Sequence, residues 1–530
     1  MSEVKHKEMK GLLILIVFLV ILSAAIRYPY WREVNFYNYD ASWHTLLTIE
    51  AYQETDSSQH LFLPIVTLGA YSDKWIPWGG AVPDSQGNYY YTSFSPAGYV
   101  VPYVFFNIFN LSVSMRSLYI FNTTLFAISA VLWVYLLALV YRQSAFKYCL
   151  CFVGAITYIM LPEVLHGMGV VYWHQSLMQV TLLLQIILYY LYLHSDSSNA
   201  KKYYCFFLIL ALINPYIEWT GYIANVGFAL AELIRFREKG WKNALASATW
   251  LGILTILSFA LFCVHYLLRV DAAAFFGALR GSFMGRNITA SVSLTKLVYG
   301  YIRSFKFAVL LLAFFLLWGY TKNKHFSGEN LLLLFVMVFP VLENIVMKQH
   351  AIFYSYDRMK AAFPLCLLIC ETARAVLEDG KNKRKNSIVV AVLALGVALL
   401  NLNNYCHDSG YIWETNYQNA NRALVQAVSE QYPDAALTSN KDVRGYMNLL
   451  FGRGIHEWCM SAEQAVDIAI EYDAEYVAWI ECDGYEHGYE LQRITVYHCS
   501  GRKLAEYTVQ DGTVMIEQFE NVDADFEVGE

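Results

Sequence analysis

Residues 118–140 read LYIFNTTLFAISAVLWVYLLALV, a stretch without a charged side chain that ends shortly before Arg142 and Lys147. A helix needs about 20 consecutive apolar residues to cross the hydrocarbon core of a bilayer. This stretch is long enough, and the basic residues that follow it are typical of a cytoplasmic flank. We therefore predict a membrane-spanning helix whose C-terminal end lies in the cytoplasm.

The composition of the whole chain agrees with a membrane protein. Of its 530 residues, 57% are hydrophobic and 15% are charged, whereas soluble chains carry about 25% charged residues. From Asn404 onward, 7 basic residues stand against 23 acidic ones, a net charge of −16 within a total of −6. A basic hydrophobic body with an acidic tail predicts two domains, and the acidity argues against a nucleic-acid partner.

Further apolar runs lie on both sides of residues 118–140. Upstream, Gly11–Ile26 follows three lysines and precedes Arg27-Tyr-Pro-Tyr-Trp31, so we predict an uncleaved first span with an interfacial anchor. Downstream, the runs are residues 148–162, 173–193, 203–234, 244–268, 299–320, 330–347, 360–377 and 387–403. If they alternate in direction, nearly every basic cluster lies inside, with the N-terminus cytoplasmic and the tail extracytoplasmic.

The number of spans depends on residues 203–234, which Asn214-Pro215 interrupts. Two short helices there give about eleven transmembrane helices, whereas a single long helix would invert everything downstream. Residues 96–111 contain two prolines and are too short for a span, so we predict an interfacial or re-entrant helix within an exterior loop, residues 27–115.

The fold class that follows is mainly α: a polytopic membrane module, residues 1–405, with a small extracytoplasmic α/β domain, residues 410–530. In this tail the periodicity predicts two helices and several short strands. The helices are Ala420–Gln431 and Ser461–Tyr472, and the strands are Ala435–Ser439, Ala474–Ile480, Ile494–Tyr497, Leu504–Val509 and Thr513–Glu517. Ser461-Ala-Glu-Gln464 is a possible capping box.

The exterior loop carries two candidate functional residues. Asp40 lies in Tyr37-Asn-Tyr-Asp40-Ala-Ser-Trp43-His44, and a carboxylate there could accept a proton from a hydroxyl. The alternative is a helix N-cap, a common role of aspartate. Arg116 lies at the outer end of the span that follows, where it could bind a phosphate through its guanidinium or snorkel to the interface.

A second candidate segment, Lys348–Lys360, lies between two late spans on the side that disfavours basic residues. An anionic phosphate would explain Arg358 and Lys360 there, with His350 beside them. An ion pair between Asp357 and Arg358 is the structural alternative.

Further polar residues flank the apolar runs. Glu163, His166 and His174 flank the exterior loop between the third and fourth predicted spans, and Glu218 follows Asn214-Pro215. Ionisable groups at membrane depth are costly and usually face a cavity, so these residues and Tyr354 could bind sugar or acceptor hydroxyls. The alternative for each residue, and the one favoured when it is taken alone, is a loop or hairpin-tip position without a ligand.

The order of these features over residues 1–145 resembles the GT-C superfamily of membrane glycosyltransferases, and within it the protein O-mannosyltransferase and aminoarabinose (lipid A) transferase branch. The order is a single span, an exterior loop that opens with an aromatic-flanked Asp40, an interfacial helix with Pro96, then Arg116 and a long span. That family carries an Asp-Glu pair whose first acid is catalytic and falls on Asp40. Here Ala41 replaces the second acid, and Ser95 stands where the branch places His or Lys.

The resemblance implies an inverting glycosyltransferase of the plasma (inner) membrane. The donor would be a polyprenyl-phosphate-linked sugar, and the acceptor a lipid, glycan or protein on the extracytoplasmic face. It implies Asp40 as the base and the group Arg116, His350, Arg358 and Lys360 at the donor phosphate. We expect no cofactor and no metal, because a lone carboxylate is a poor divalent-ion site. The alternatives are a polytopic lipid or sugar transporter or flippase, and a non-catalytic envelope-assembly protein.

Overall fold

A computed structural model describes residues 2–31, 36–69, 80–287, 293–320, 328–378, 382–407, 417–440, 444–456, 459–483, 490–511 and 513–519. Its contacts divide the chain into two compact units. The first consists of Met1–Trp31, Tyr119–Val264 and Phe283–Ile412, and the second of Arg32–Leu118, His265–Ser282 and Trp413–Glu530.

Most of the described residues are helical. The helices are α1 Ser2–Arg27, α2 Phe36–Glu54, α3 Ser57–His60, α4 Ala97–Phe109, α5 Met115–Val140, α6 Lys147–Ile159, α7 Pro162–Gly167, α8 His174–His194, α9 Ser197–Ile217, α10 Thr220–Ile234, α11 Phe236–Lys239, α12 Trp241–Leu267, α13 Ala272–Asn287, α14 Leu294–Tyr320, α15 Gly328–Val346, α16 Lys348–Phe353, α17 Ala362–Glu378, α18 Lys383–His407, α19 Tyr417–Gln431, α20 Arg444–Phe451 and α21 Ala462–Glu471. Two 3₁₀ helices, Tyr28–Tyr30 and Ser355–Ala361, interrupt them.

The strands are short and lie in the second unit. They are β1 Ala81–Pro83, β2 Tyr89–Tyr91, β3 Ala436–Ser439, β4 Tyr476–Asp483, β5 Glu490–His498, β6 Lys503–Gln510 and β7 Thr513–Gln518.

Every predicted span coincides with a helix. Within the described residues, six helices are long and apolar enough to cross a membrane: Gly11–Tyr30, Met115–Val140, His174–His194, Trp241–Leu267, Leu294–Gly319 and Lys383–His407. The other helices at predicted spans are shorter or less apolar, so the count of about eleven crossings stays a prediction. The helix predicted over residues 96–111 is α4, with 13 residues, and its interfacial position is likewise still a prediction.

The run 203–234 forms two helices, as the preferred interpretation required, and a buried amide stabilises the break. Pro215 has no N–H to donate, which leaves the carbonyl of Ala211 without its helical partner. Asn225 of α10 donates its Nδ2 to that carbonyl at 2.7 Å. Gly221 lets the two helices approach closely, because a Cβ there would lie 2.4 Å from the Asn214 carbonyl carbon.

The end of α1 differs from the expected interfacial anchor. Arg27 is fully buried, with its guanidinium carbon 4.6 Å from the centre of the Phe126 ring. Its Nη1 donates to the carbonyl of Leu165 at 3.4 Å, and Trp31 donates to the carbonyl of Gly169 at 3.0 Å. The end of the first span thus holds the loop around α7 inside the helical unit.

The second unit contains α2, α3 and α4, which belong to the loop predicted to be exterior, and the tail. Helix α2 packs against α4 and against α20 of the tail. The tail contains a five-stranded sheet in the order β3-β4-β5-β6-β7, with β3 and β4 parallel and the other pairs antiparallel. Tyr507 of β6 donates to Gln431 of α19 at 2.5 Å, whereas Val477 and Tyr497 pack with α21 on the opposite face. The predicted α/β tail is therefore confirmed, with the predicted strands in place.

Candidate functional site

The 3₁₀ helix Ser355–Ala361 brings a buried arginine against a buried glutamate in the first unit. Nη2 and Nε of Arg358 lie 3.2 and 3.3 Å from Oε1 of Glu163. The Ser304 hydroxyl donates to the same carboxylate oxygen and accepts from Arg358 Nε at 2.8 Å. Arg358 Nη1 also donates to the carbonyl of Ala351 at 2.6 Å. The charge of this guanidinium is therefore compensated within the protein.

Lys360 has a different set of partners. Its Nζ contacts Oε2 of Glu343, lies 3.1 Å from Oδ1 of Asp357, and donates to the Thr220 hydroxyl at 3.2 Å. Burial alone would raise the pKa of the Asp357 carboxyl, but the Lys360 ammonium and His350 hold it well below its usual range. Lys360 and Asp357 are thus held in their charged forms.

The imidazole of His350 lies beside Asp357 and packs with two tyrosine rings of the same segment. Nδ1 of His350 lies 3.8 Å from Asp357 Oδ2, and Gln175 donates to Oδ1 at 3.0 Å. The rings of His350 and Tyr354 are 4.6 Å apart, and those of Tyr354 and Tyr356 are 5.4 Å apart. The segment predicted from its His, Tyr and basic residues therefore folds into one compact group.

The tip of the α9–α10 hairpin joins the same network. Oε2 of Glu218 accepts the backbone N–H of Thr220 at 2.8 Å, and the Thr220 hydroxyl donates to Glu343 Oε2 at 2.8 Å. Next to this tip, Nδ1 of His174 lies 3.1 Å from the carbonyl oxygen of Ile217. Residues from four parts of the sequence thus meet at a buried cluster.

Within the described residues, this cluster is rich in acids. Four buried acidic side chains, of Glu163, Glu218, Glu343 and Asp357, lie together with two buried basic side chains, Arg358 and Lys360. An anion such as a phosphate would have to compete with carboxylates for either base. Charged groups are costly to bury, so a buried cluster of this size is a candidate functional site.

His166 belongs to the same region but contributes no charge. It is buried in α7, and burial together with the charge of Arg358 lowers its pKa to about 3. The imidazole is therefore neutral at physiological pH and can only donate or accept hydrogen bonds.

The two candidates of the exterior loop lie in the second unit. Asp40 falls inside α2, four residues after its first residue Phe36, so the N-cap alternative is wrong. The side chain of Asp40 lies outside the described residues. Arg116 lies in the first turn of α5 and is exposed. A shared site for these two residues and the buried cluster remains a proposal.

The structural alternative, an ion pair between Asp357 and Arg358, is wrong, because Asp357 pairs with Lys360 and Arg358 pairs with Glu163. Sequence analysis missed Glu343 and Thr220, which complete the network. Glu343 is an acid within an apolar run, and that signal could have identified it. Thr220 carries no such signal.

The comparisons with known proteins rest on structure alone. No family model matches the chain, and no curated protein matches it. Among solved structures, the archaeal oligosaccharyltransferase AglB from Archaeoglobus fulgidus, in complex with an inhibitory peptide and a dolichol-phosphate, is similar at 12% identity with a TM-score of 0.53, over 88% of this chain and 69% of that one. ArnT from Cupriavidus metallidurans, in the apo state, is similar at 10% identity with a TM-score of 0.53, over 88% and 92%. The chain has a GT-C fold.

The GT-C fold confirms, at the level of the fold, the resemblance inferred from residues 1–145, and ArnT is one of the solved structures that share it. It also confirms the fold class, a polytopic helical membrane protein with a small C-terminal sheet region. Since the identities are near 10%, the comparison establishes the fold, and the activity has to be argued from the residues.

Proposed function

We propose that this GT-C protein is a membrane glycosyltransferase. It transfers a sugar from a polyprenyl-phosphate-linked donor to a lipid, glycan or protein acceptor on the extracytoplasmic face of the plasma (inner) membrane. The observation that carries the proposal is the buried cluster around Arg358 and Lys360 within a GT-C fold. AglB, which shares this fold, was solved with a dolichol-phosphate, and this supports a lipid phosphate as the donor's leaving group.

In the proposed reaction, Asp40 accepts the proton of the acceptor nucleophile as the nucleophile attacks the anomeric carbon. The new bond forms on the face opposite the phosphate, and the bond between the anomeric carbon and the phosphate oxygen breaks, so the configuration inverts. The polyprenyl phosphate leaves with the bonding electrons. The step balances without a metal ion. Stabilising the negative charge on the departing phosphate should contribute more to catalysis than proton transfer to Asp40 does.

The basic residues divide into two groups. Arg116 is exposed, so we assign the first contact with the donor phosphate to it. Arg358 and Lys360 already contact carboxylates, so a phosphate at these residues would share them with Glu163 and Glu343. We assign them, with His350, to the charge balance around the leaving group.

The sugar and acceptor contacts are assigned to the polar residues around the cluster. These are Tyr354, Glu163, His166, His174 and Glu218. Carboxylates accept hydrogen bonds from hydroxyls, and a neutral imidazole can both donate and accept them. This set of side chains therefore suits a polyhydroxylated ligand.

The test is Asp40→Asn in membranes supplied with radiolabelled polyprenyl-phosphate sugars. Loss of a general base should lower transfer by about 10²- to 10⁴-fold while the protein remains folded. The matched control is Glu54→Gln, which removes an acid at the end of the same helix and should leave transfer unchanged. Undiminished transfer by the Asp40 variant would remove Asp40 from the mechanism. Movement of a labelled lipid without any transfer would favour the transporter alternative.

A further inference from the structure

A second pocket lies in the first unit, at the far end of the helices that carry the cluster. Its volume is about 430 Å³, and it opens between the ends of α8, α10 and α11 and the beginning of α15. The residues that line it are Leu193, His194, Ile234, Arg235, Glu238, Leu331, Leu332 and Phe335. This volume is within the range of ligand sites, about 300–1,000 Å³.

One wall of the pocket is apolar and continues onto the lipid-facing surface. Ile234 is 56% exposed and Leu331 is 47% exposed, and both belong to helices that coincide with predicted spans. Phe335 and Leu332 extend the same wall inward along α15. In a bilayer such a surface contacts acyl chains, because exposed apolar side chains gain free energy by leaving water.

Beside these apolar residues, Arg235 and Glu238 bring charge to the lining of the pocket. Arg235 donates from Nε to Glu238 at 2.9 Å and from Nη1 to Glu232 at 3.2 Å. Nη2 of Arg235 has no hydrogen-bond partner among the residues that the structure describes, and Arg235 lines the pocket, so a ligand oxygen would share this guanidinium with Glu232 and Glu238. Glu238 is exposed at the rim and could accept a hydrogen bond from a cationic group. The lining thus offers a donor for a phosphate beside an acceptor for an ammonium.

We propose that this pocket binds one glycerophospholipid of the surrounding bilayer. Its phosphate would contact Arg235, and an acyl chain would lie along the wall of Ile234, Leu331 and Phe335. A free phosphate would leave the apolar wall unused, and a fatty acyl chain alone would leave Arg235 unused. Only an amphipathic ligand would contact both the apolar residues and Arg235.

The position of the pocket connects it to the cluster. Helices α10 and α15 pack along each other. At one end they carry Thr220 and Glu343, which are hydrogen bonded to each other, and at the other end they carry the pocket. A lipid between their far ends would stabilise the helix pair and, through it, the arrangement of the buried cluster.

The test is native mass spectrometry of the full chain, purified in a mild detergent and then supplied with phosphatidylethanolamine or phosphatidylglycerol. We expect one phospholipid to be retained per chain. Leu332→Trp, which fills the pocket, and Arg235→Gln, which removes the phosphate contact, should each reduce its occupancy at least tenfold. The matched control is Arg237→Gln, which removes the same charge from α11 at a residue that does not line the pocket.

The outcomes separate the explanations. Retention that is equal in the wild type and in Leu332→Trp would overturn the proposal, even if Arg235→Gln failed to fold. Equal loss in the Arg237 variant would show general attraction between basic residues and anionic lipid, and would also overturn it. Preference for phosphatidylethanolamine over phosphatidylglycerol would place the ammonium at Glu238, and Glu238→Gln should then abolish the preference.

Discussion

At the scale of single residues, the pair of Glu163 and Arg358 gives the sharpest test of the buried cluster. Glu163→Gln would leave the Arg358 guanidinium buried without a counter-charge. Removing one partner of a buried ion pair costs about 3–5 kcal/mol, so we expect a loss of that order in the free energy of unfolding, measured by denaturant titration in detergent.

The control is Glu238→Gln, since Glu238 also pairs with an arginine but is 66% exposed. Exposed ion pairs contribute about 0–1 kcal/mol. If both variants lost the same stability, the charge on Glu163 would be dispensable and the pair would not organise the cluster.

His456 in the tail provides a prediction about pH. Burial and the charge of Arg453 lower its pKa from 6.5 to about 4, and its ring packs 4.2 Å from that of Tyr472. His456 therefore becomes protonated below about pH 6.5 in the unfolded tail but only below about pH 4 in the folded tail. Its contribution to stability is present above pH 6.5 and is lost as the pH falls towards 4.

Hydrogen exchange of β3 and β4 as a function of pH would measure this loss. His456→Gln should flatten the profile between pH 6.5 and 4, whereas His498→Gln, at a more exposed site on the same sheet, should preserve it. A wild-type profile that is flat over this range would contradict the assignment to His456.

The individual residues also show what sequence analysis can find at a site. Glu163 and Glu218 were predicted because ionisable groups are rare at membrane depth, and Arg358 and Lys360 because basic residues are disfavoured on the exterior side. Their pairing was not predictable, since Arg358 and Glu163 are separated by 195 positions. The alternative pair of Asp357 and Arg358 does not form: Arg358 pairs with the distant Glu163, and Asp357 pairs with Lys360, three residues further along the chain.

At the scale of elements, the α9–α10 hairpin depends on a glycine. A Cβ at Gly221 would lie 2.4 Å from backbone atoms of Asn214 and Pro215, and backbone cannot move aside as a flexible side chain can. Gly221→Ala should therefore destabilise the protein by about 1–3 kcal/mol, seen as a lower melting temperature in detergent.

Gly252→Ala in α12 is the matched control. A Cβ there would meet nothing within 4 Å, and alanine favours a helix over glycine by about 1 kcal/mol, so this variant should be neutral or slightly stabilising. A Gly221 variant as stable as the Gly252 variant would mean that the two helices do not approach each other as described.

The length of an apolar run decides which helices could be predicted from the sequence. Runs of apolar residues predicted each membrane helix, because a segment in lipid must satisfy its backbone hydrogen bonds internally. Helices α13 and α20 were missed, since neither has a long apolar run or a clear cap. The β1–β2 hairpin was missed because its strands have only three residues each, too few for a periodicity to show.

At the scale of the whole molecule, the distribution of basic residues predicts an orientation that can be tested directly. If the N-terminus is cytoplasmic, the loop between α8 and α9 lies inside and the acidic tail lies outside. In a background whose accessible native cysteines are replaced by serine, Asp467→Cys on α21 should react with an impermeant thiol reagent on intact cells. Lys202→Cys, at an exposed position early in α9, should react only after the cells are permeabilised.

Both cysteines lie on exposed helical positions, so a difference in labelling reports the side of the membrane. The reverse pattern would place the tail in the cytoplasm and would exclude an extracytoplasmic acceptor for any reaction that involves it.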